Sequence, residues 1–293
     1  TNLIENLQEL RKIEFNEREK RLANAKPQEL KYNPKKHDTM SVTFVMTWTE
    51  VCGGSKIILQ QANRLVKMGY DVSIISHFPR PTWFPLEEGI HFTQVPWEQI
   101  LCSAIKKCDV IVVTYWREMY EAIEQNIAPV VYFEQGDYHL FDLDKLDERT
   151  KNYIQKQFDV TKFVYTVSSY AASKIKEIYG HDSEIIPNAV NENIFYYEPH
   201  KTNEKTEITI IGADVITTNN GGNMDFVKDN ENALLIEKDN IDDIVSKIEY
   251  LINNENHRKE LALKGVEESK KFSWDETMKK IDTYCRKIAD YEV

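Results

Sequence analysis

From Ser41 onward the chain repeats one pattern, a short apolar run followed by an amphipathic stretch and then another apolar run. Val42–Trp48 reads as a strand, and Lys56–Met68 as a helix with Ile57, Ile58, Ala62, Leu65 and Val66 on its inner side. Gly69 stops that helix before a second strand, Asp71–Ser76. A Pro- and aromatic-rich loop, Phe78 to Pro85, leads to a short strand at Ile90–Val95. Strand Val110–Tyr115, helix Glu118–Gln125, strand Val130–Glu134 and a helix near Glu148–Gln157 come next. Strand Phe163–Ser168, helix Ala171–Tyr179 and strand Glu184–Ile186 complete the series. Apolar strands alternating with amphipathic helices require an α/β fold with a mostly parallel, doubly wound sheet covered on both faces.

The pattern fails at one point. After a polar linker, Glu198–Lys205, a strand at Glu207–Ile211 runs into Gly212-Ala213-Asp214 and at once into another strand-like run, Val215–Asn219. Parallel neighbours need a crossover of roughly a dozen residues or more, and none is available here, which leaves a hairpin across Gly-Ala-Asp or one very long strand weakened at Gly212. The remainder offers helix Met224–Lys228, strand Ala233–Glu237, helix Ile241–Ile252 and two further helices, Glu255–Lys271 and Asp275–Asp290. About three strands cannot form an open sheet that buries four helices, so the spacing predicts a missing segment between Gly212 and Ala213. The expected organisation is an N-terminal helical extension over 1–39, a complete α/β half over 40–200 and an incomplete one over 201–293. The last helix is expected to pack back toward the first half.

The extension carries Leu3, Leu7, Leu10 and Ile13 at helical spacing, a stripe that fades through Phe15 and Leu22 before Pro27 and Pro34 close the segment. It reads as a helix packed on the body, or as a short surface for a homodimer. The formal net charge of −11 argues against nucleic acid as the main partner. No run approaches the ~20 apolar residues that span a bilayer. The start, Thr1-Asn2-Leu3-Ile4-Glu5, lacks the basic and apolar regions of a signal peptide. Four scattered cysteines (Cys52, Cys102, Cys108, Cys285) fit a reducing compartment and no metal spacing. A cytoplasmic protein is expected, with association at the inner membrane face left open.

Three constellations could carry chemistry. Gly53-Gly54 lies between the first strand and its helix, where unpaired N–H groups and the helix dipole suit a phosphate. Ser55 could add a hydroxyl or cap the helix, and a plain tight turn is the alternative. Glu134-Gln135-Gly136-Asp137-Tyr138-His139 ends a buried strand, the position where ligands collect on open α/β sheets. There His139 could bond a sugar hydroxyl or phosphate with Asp137 or Glu134 orienting it, or it could be a solvated loop histidine. Ser168-Ser169 and Ile186-Pro187-Asn188-Ala189-Val190 have adequate structural explanations as a helix cap and a turn. Asp142-Leu143-Asp144 matches a metal motif of a different architecture but sits in an acidic loop that it solvates, so no metal is expected. On the acceptor side, Trp83 and Phe84 could stack on a sugar ring or pack under their loop.

Taken together the chain resembles the family 4 (group 1) glycosyltransferases of the GT-B fold, built from two Rossmann-like domains. The matching residues are Glu50-Val51-Cys52-Gly53-Gly54, Ala62-Asn63-Arg64-Leu65, Val167-Ser168-Ser169-Tyr170 and Ile186-Pro187-Asn188-Ala189-Val190-Asn191 with Phe195. Val215 to Gly222, Asn232 to Glu237 and Phe272-Ser273-Trp274 continue the match. The resemblance implies transfer of a sugar, a hexose in the first instance, from a nucleotide-diphosphate donor to an acceptor hydroxyl. It implies retention of configuration, no bound metal or other cofactor, and a saccharide or glycolipid acceptor in cell-surface polysaccharide or glycoconjugate synthesis. Gly53, Gly54, Ser55, Gln135, Gly136 and Asn188 would then face the donor, and His139 and Asp137 the reacting sugar.

The family's diphosphate-clamping Arg and Lys and its two-glutamate donor motif are absent, and the match breaks at the junction where the strand spacing also fails. About 80–110 residues would be needed to complete a domain of ordinary size. A segment left out of the written sequence, a deliberate deletion and natural loss all fit; either of the last two predicts a chain that transfers no sugar. A sugar-binding or scaffold protein and a nucleotide-sugar epimerase are the alternatives.

Overall fold

The apolar runs between Ser41 and Ile185 assemble into a single seven-stranded sheet, every neighbouring pair of which is parallel. The computed structural model describes residues 2–34, 37–191 and 216–293. The expected strand Glu207–Ile211, the Gly212–Ala213 junction and Phe195 lie outside the described residues. In chain order the elements are α1 (Asn2–Ala23), β1 (Lys31–Tyr32), β2 (Ser41–Val45), α2 (Gly53–Lys67), β3 (Asp71–Ser76), β4 (Ile90–Gln94) and β5 (Val110–Val113). Next are α3 (Met119–Ile123), β6 (Val130–Glu134), α4 (Tyr138–Phe141), α5 (Glu148–Val160), β7 (Phe163–Thr166), α6 (Ser169–Tyr179) and β8 (Glu184–Ile185). The last part of the chain supplies β9 (Ile216–Thr218), β10 (Leu234–Ile236), α7 (Ile241–Asn253), α8 (Glu255–Ser269), α9 (Trp274–Ala289) and β11 (Tyr291–Glu292).

The chain divides into two compact units. The first joins residues 1–167 and 171–186 with the C-terminal 280–293, and the second holds 168–170 and 187–279. In the first unit the strand order is β4-β3-β2-β5-β6-β7-β8. The order reverses between β2 and β5, which opens a crevice beyond the C-terminal ends of these two strands. Strands β5, β6 and β7 are buried along their whole length, as unbroken apolar runs require when helices cover both faces.

The N-terminal extension belongs to this unit. The side chains of Leu3, Leu7 and Leu10 lie outside the described residues; among those described, Phe15, Arg18 and Leu22 share one face of α1 and pack inward, with Leu22 in the core and Phe15 5.0 Å from the Tyr153 ring. Ile13, at the end of the expected stripe, is exposed. The stripe fades where an apolar contact is exchanged for an ionic one, so a search for apolar spacing passes over it. Arg18 sets Nη1 2.7 Å from the Glu121 carboxylate and 3.9 Å from that of Glu118, and all three side chains are buried. Burial raises the Glu118 carboxyl above its ordinary value despite the pull of Arg117 and Arg18. After α1, Gln28 bridges the backbone at the start of β6, donating to Ala128 O at 2.9 Å and accepting from Val130 N at 3.0 Å. Finally β1 pairs antiparallel with β11, Lys31 opposite Glu292 and Tyr32 opposite Tyr291, and Tyr70 donates to Asp282 on α9 at 2.5 Å.

The second unit holds a parallel pair, Ile216–Thr218 beside Leu234–Ile236, with α7 and α8. The expected helix Met224–Lys228 is instead a short 3-10 turn over Gly222–Asp225. Asparagine side chains dictate this: Asn223 donates to Thr218 O at 2.7 Å, Asn220 Oδ1 accepts from Asn223 N, and Gly221 takes a φ of +80°. A Cβ at Gly221 would stand 2.5 Å from the Tyr170 ring, so this turn has no room for a side chain. Phe272 O accepts from Val190 N at 2.8 Å and buried Trp274 follows, which joins two of the motifs read in the sequence. On α7 the apolar residues Ile241, Val245 and Ile252 are 74%, 46% and 50% exposed. Among the described residues no helix is long and apolar enough to cross a membrane.

Replacing Arg18 with alanine takes the nearest cation from buried Glu121 and one of two from Glu118, which keeps Arg117 at 3.4 Å, and is expected to cost about 3 kcal/mol, read as a lower urea midpoint. Arg149→Ala removes an exposed pair with Glu19, a bond to Asn16 and the guanidinium over the Phe15 ring, and should lower that midpoint much less.

Candidate functional site

At the crevice edge of the first unit, three strand ends bring polar groups together. After β2 the chain turns through Thr47 to Cys52 and enters α2 at Gly53, so the two glycines form the first turn of the helix rather than a loop before it. Cys52, in extended backbone, is the N-cap, and its Sγ accepts from Ser55 N at 3.3 Å. Ser55 is drawn inward, donating its hydroxyl to Trp48 O at 3.1 Å. It therefore ties the turn together and does not present its oxygen to solvent. Lys56 N closes on Cys52 O at 3.1 Å. Among the described residues no acceptor reaches the amides of Gly53 and Gly54, which are two of the orphan donors that every helix start leaves. A Cβ on Gly53 would meet nothing within 4 Å, so this stretch of backbone is open to an approaching group.

Opposite lies the loop after β6. Gln135 Nε2 is 3.4 Å from Gly54 O, and Gly136 adopts a φ of +94° that favours glycine. The shape of this loop is set from below by Glu134, which is fully buried. Its Oε1 accepts from the amides of Gly136 at 2.6 Å and Asp137 at 2.7 Å. Its Oε2 accepts from the Tyr132 hydroxyl at 2.6 Å and lies 2.8 Å from His139 Nε2. Burial by itself would raise this carboxyl, but the bond and charge of His139, the Tyr132 hydroxyl and the Asp137 amide outweigh it and hold Glu134 below its ordinary range.

His139 is reassigned by this geometry. It is 0% exposed, with Nε2 on Glu134 and Nδ1 2.9 Å from the Tyr179 hydroxyl. The carboxylate only accepts, so Nε2 carries a proton, and both ring nitrogens are engaged inside the protein. This histidine holds the loop and does not face a ligand directly. Asp137 is half-buried and caps the short α4 through the Tyr138 amide at 2.7 Å. Trp116, just beyond β5, donates its indole N–H to Asp137 Oδ2 at 3.0 Å. Desolvation, reinforced by nearby Glu134, raises the Asp137 carboxyl, with the Tyr138 amide opposing. Just beyond β2, Thr47 donates to buried Glu118 at 2.7 Å, which connects this edge to the ion cluster around Arg18.

The remaining expected residues fall elsewhere. Trp83 is half-buried and donates its indole N–H to Thr49 O at 2.9 Å, with Phe84 packed 5.6 Å away. It is tied to the β2–α2 loop through Thr49. Asn188 belongs to the second unit, half-buried between Pro187, whose carbonyl accepts from the Thr277 hydroxyl at 2.9 Å, and Val190. Ser169 donates to Asp225 within that same unit. Asp142 pairs with Lys145 at 2.9 Å on the surface. Sequence reasoning missed Trp116, Tyr132 and Tyr179. Trp116 lies just beyond the C-terminal end of β5, where position alone could have marked it, whereas Tyr132 is in the middle of β6.

Known proteins resemble this chain in both sequence and fold. Residues 205–267 match the family described as Glycosyl transferases group 1. An uncharacterized glycosyltransferase of Methanocaldococcus jannaschii is 43% identical over 76 residues, 26% of this chain and 22% of that protein. The capsular polysaccharide biosynthesis glycosyltransferase CapM of Staphylococcus aureus is 32% identical over 114 residues, 36% of this chain and 30% of that protein. The chain thus covers less than a third of the length of either relative. Among solved structures, sucrose-phosphate synthase from Thermosynechococcus elongatus superposes with a TM-score of 0.68 at 10% identity, over 85% of this chain and 98% of that one. HepE of Anabaena, solved in complex with UDP and glucose, gives 0.63 at 11% identity over 84% and 99%. At such identities the structures establish the fold, an α/β architecture of the GT-B glycosyltransferase type. The sequence matches are to glycosyltransferases of group 1 type.

Glu134 makes the stability of the first unit depend on pH. Its folded-state value lies below the ordinary 4.5, so its stabilisation is present above that pH and is lost as pH falls through the folded value. Glu134→Gln is expected to lower stability at pH 7 by about 1–3 kcal/mol and to flatten the acid limb of a urea-midpoint profile.

Proposed function

We propose that this chain takes part in transfer of a sugar from a nucleotide-diphosphate donor to a hydroxyl of a saccharide or glycolipid, with retention, as a family 4 glycosyltransferase in cell-surface polysaccharide synthesis. The observation that carries the reading is the pair of open amides at Gly53 and Gly54, set at the point where the strand order reverses and facing the Gln135–Asp137 loop. Such a helix start binds phosphate oxygens through hydrogen bonds and dipole together, and it stabilises the charge that develops on a leaving diphosphate. The reading calls on no resident cofactor. Gln135 and the half-buried Asp137 would orient the sugar, while Glu134 and His139 act as positioning residues by fixing the backbone between them. The relatives support the class of reaction, the capsular polysaccharide protein supports the pathway type, and HepE with UDP and glucose supports a nucleotide-sugar donor.

One observation favours a second reading, a GT-B-like sugar-binding or scaffold protein without turnover. The described part of the second unit has only a two-stranded parallel sheet beside an apolar α7 face left largely open. Parallel pairs are ordinarily covered on both faces. Among the described residues this supports a donor-side unit whose sheet leaves α7 partly uncovered.

Titrating the protein with UDP-, GDP-, ADP- and dTDP-linked hexoses by calorimetry tests both. Binding with turnover onto an acceptor supports transfer, and binding without it supports the scaffold. No binding of any donor would sink the transfer reading. Gly53→Val is expected to weaken donor affinity by about tenfold or more, since a branched side chain would obstruct the approach to the amides. Because a Cβ there meets nothing, the melting temperature should barely move.

A further inference from the structure

Three neighbouring strand ends in the first unit deliver four aromatic rings to one place. Trp48 follows β2, His77 and Phe78 follow β3 directly, and Trp97 follows β4. Strands β2, β3 and β4 are adjacent and parallel, so their C-terminal ends share one edge of the sheet. The rings form a continuous chain. Trp48 meets Phe78 edge-on at 4.6 Å, Phe78 meets Trp97 edge-on at 5.2 Å, and His77 stacks on Trp97 at 4.7 Å. His77 is itself fixed, its Nδ1–H donating to Val95 O at 2.9 Å. Trp48 is nonetheless 50% exposed and Trp97 64% exposed. Packing that holds large rings in place and leaves so much of them in water has no use in the core.

We infer that this ledge is a stacking platform for a neutral pyranose of a saccharide. Three observations select that occupant. The ledge is aromatic throughout, and flat π-faces suit the C–H face of a sugar ring better than the branched aliphatic side chains of a protein–protein patch. The charged residues adjoining the rings in the chain are Glu50, Arg80 and Glu98, all exposed, with no basic surplus to hold an anionic lipid surface. The ledge is also continuous with the glycine turn, because Ser55 donates to the Trp48 carbonyl and Trp83 to that of Thr49. Only the identification of this saccharide as the acceptor rests on the transfer reading above; the stacking itself does not. Trp83 and Phe84 then serve the platform from beneath, by holding the loop that carries Trp48.

The test is calorimetric and fluorescence titration of the wild-type protein with maltotriose, cellotriose and chitotriose, alongside Trp48→Ala, Trp97→Ala and Trp97→Phe. At least one trisaccharide is expected to quench tryptophan emission on binding. Each alanine variant is expected to weaken that binding by about fivefold or more, and W97F to retain most of it. Saturation-transfer NMR on the unaltered protein reads indole–pyranose contact without any substitution, which decides the matter should an alanine variant melt early. Absence of binding by all three sugars, or binding indifferent to both alanines, overturns the inference. Ring-dependent sedimentation with phosphatidylglycerol vesicles also overturns it, by making the ledge a membrane contact. Donor titration of the wild-type protein is read separately. Donor binding without trisaccharide binding sinks the platform alone, whereas trisaccharide binding without any donor sinks the transfer reading and leaves a saccharide-binding surface.

Discussion

A carboxylate that no water reaches sits at the end of the strand beside the crevice. Leaving Glu134 charged there without partners would cost several kcal/mol, and the local structure is organised around avoiding that penalty. Two backbone amides of the following loop turn back onto one oxygen, and a tyrosine hydroxyl and a histidine meet the other. Both turn-back amides must stay where they are, so Gly136 is held at positive φ and Gln135 is carried toward the first turn of α2. The position of the loop over the crevice is therefore set by the solvation demand of one buried group.

A second buried charge set works from the other side. Glu118 and Glu121 are both buried, and the cation they share comes from the N-terminal helix. An extension that looks optional by sequence is thereby part of the folded body, with Gln28 and the β1–β11 pair securing the chain between α1 and β2. Cores of this kind are exposed to single substitutions. Removing either partner leaves a charge with nowhere to go, whereas an exposed ion pair such as Arg149–Glu19 can be lost into water.

The central strands of the first unit were legible because a sheet buried on both faces needs unbroken apolar runs, and such runs are hard to mistake. Polar residues at strand ends were legible for the same reason. Burial of polar side chains was not, since His139 in a Gly- and Asp-containing stretch reads as a solvated loop residue, and of its two partners Tyr179 lies far from it in sequence. Helix starts were misplaced where a cysteine caps, because Cys52 is not among the usual capping residues. The turn at Gly222–Asp225 replaced a helix once asparagine side chains outbid the backbone for hydrogen bonds. Among the aromatics, Trp83 drew attention through its Pro-rich loop, yet exposure separates it from Trp48 and Trp97, and exposure is a property of the folded sheet.

The first unit is discontinuous in the chain: its sheet is complete by Ile186, but it also needs the segment from Lys280 onward, with 187–279 intervening. On a ribosome the strands emerge early, while Tyr70 and Val164 wait for Asp282 and Tyr284, made 212 and 120 residues after them. Contacts of such long sequence separation form late and slowly. During synthesis the nascent sheet keeps an uncovered apolar flank until α9 arrives, and in that interval chaperones or premature strand pairing would compete for it.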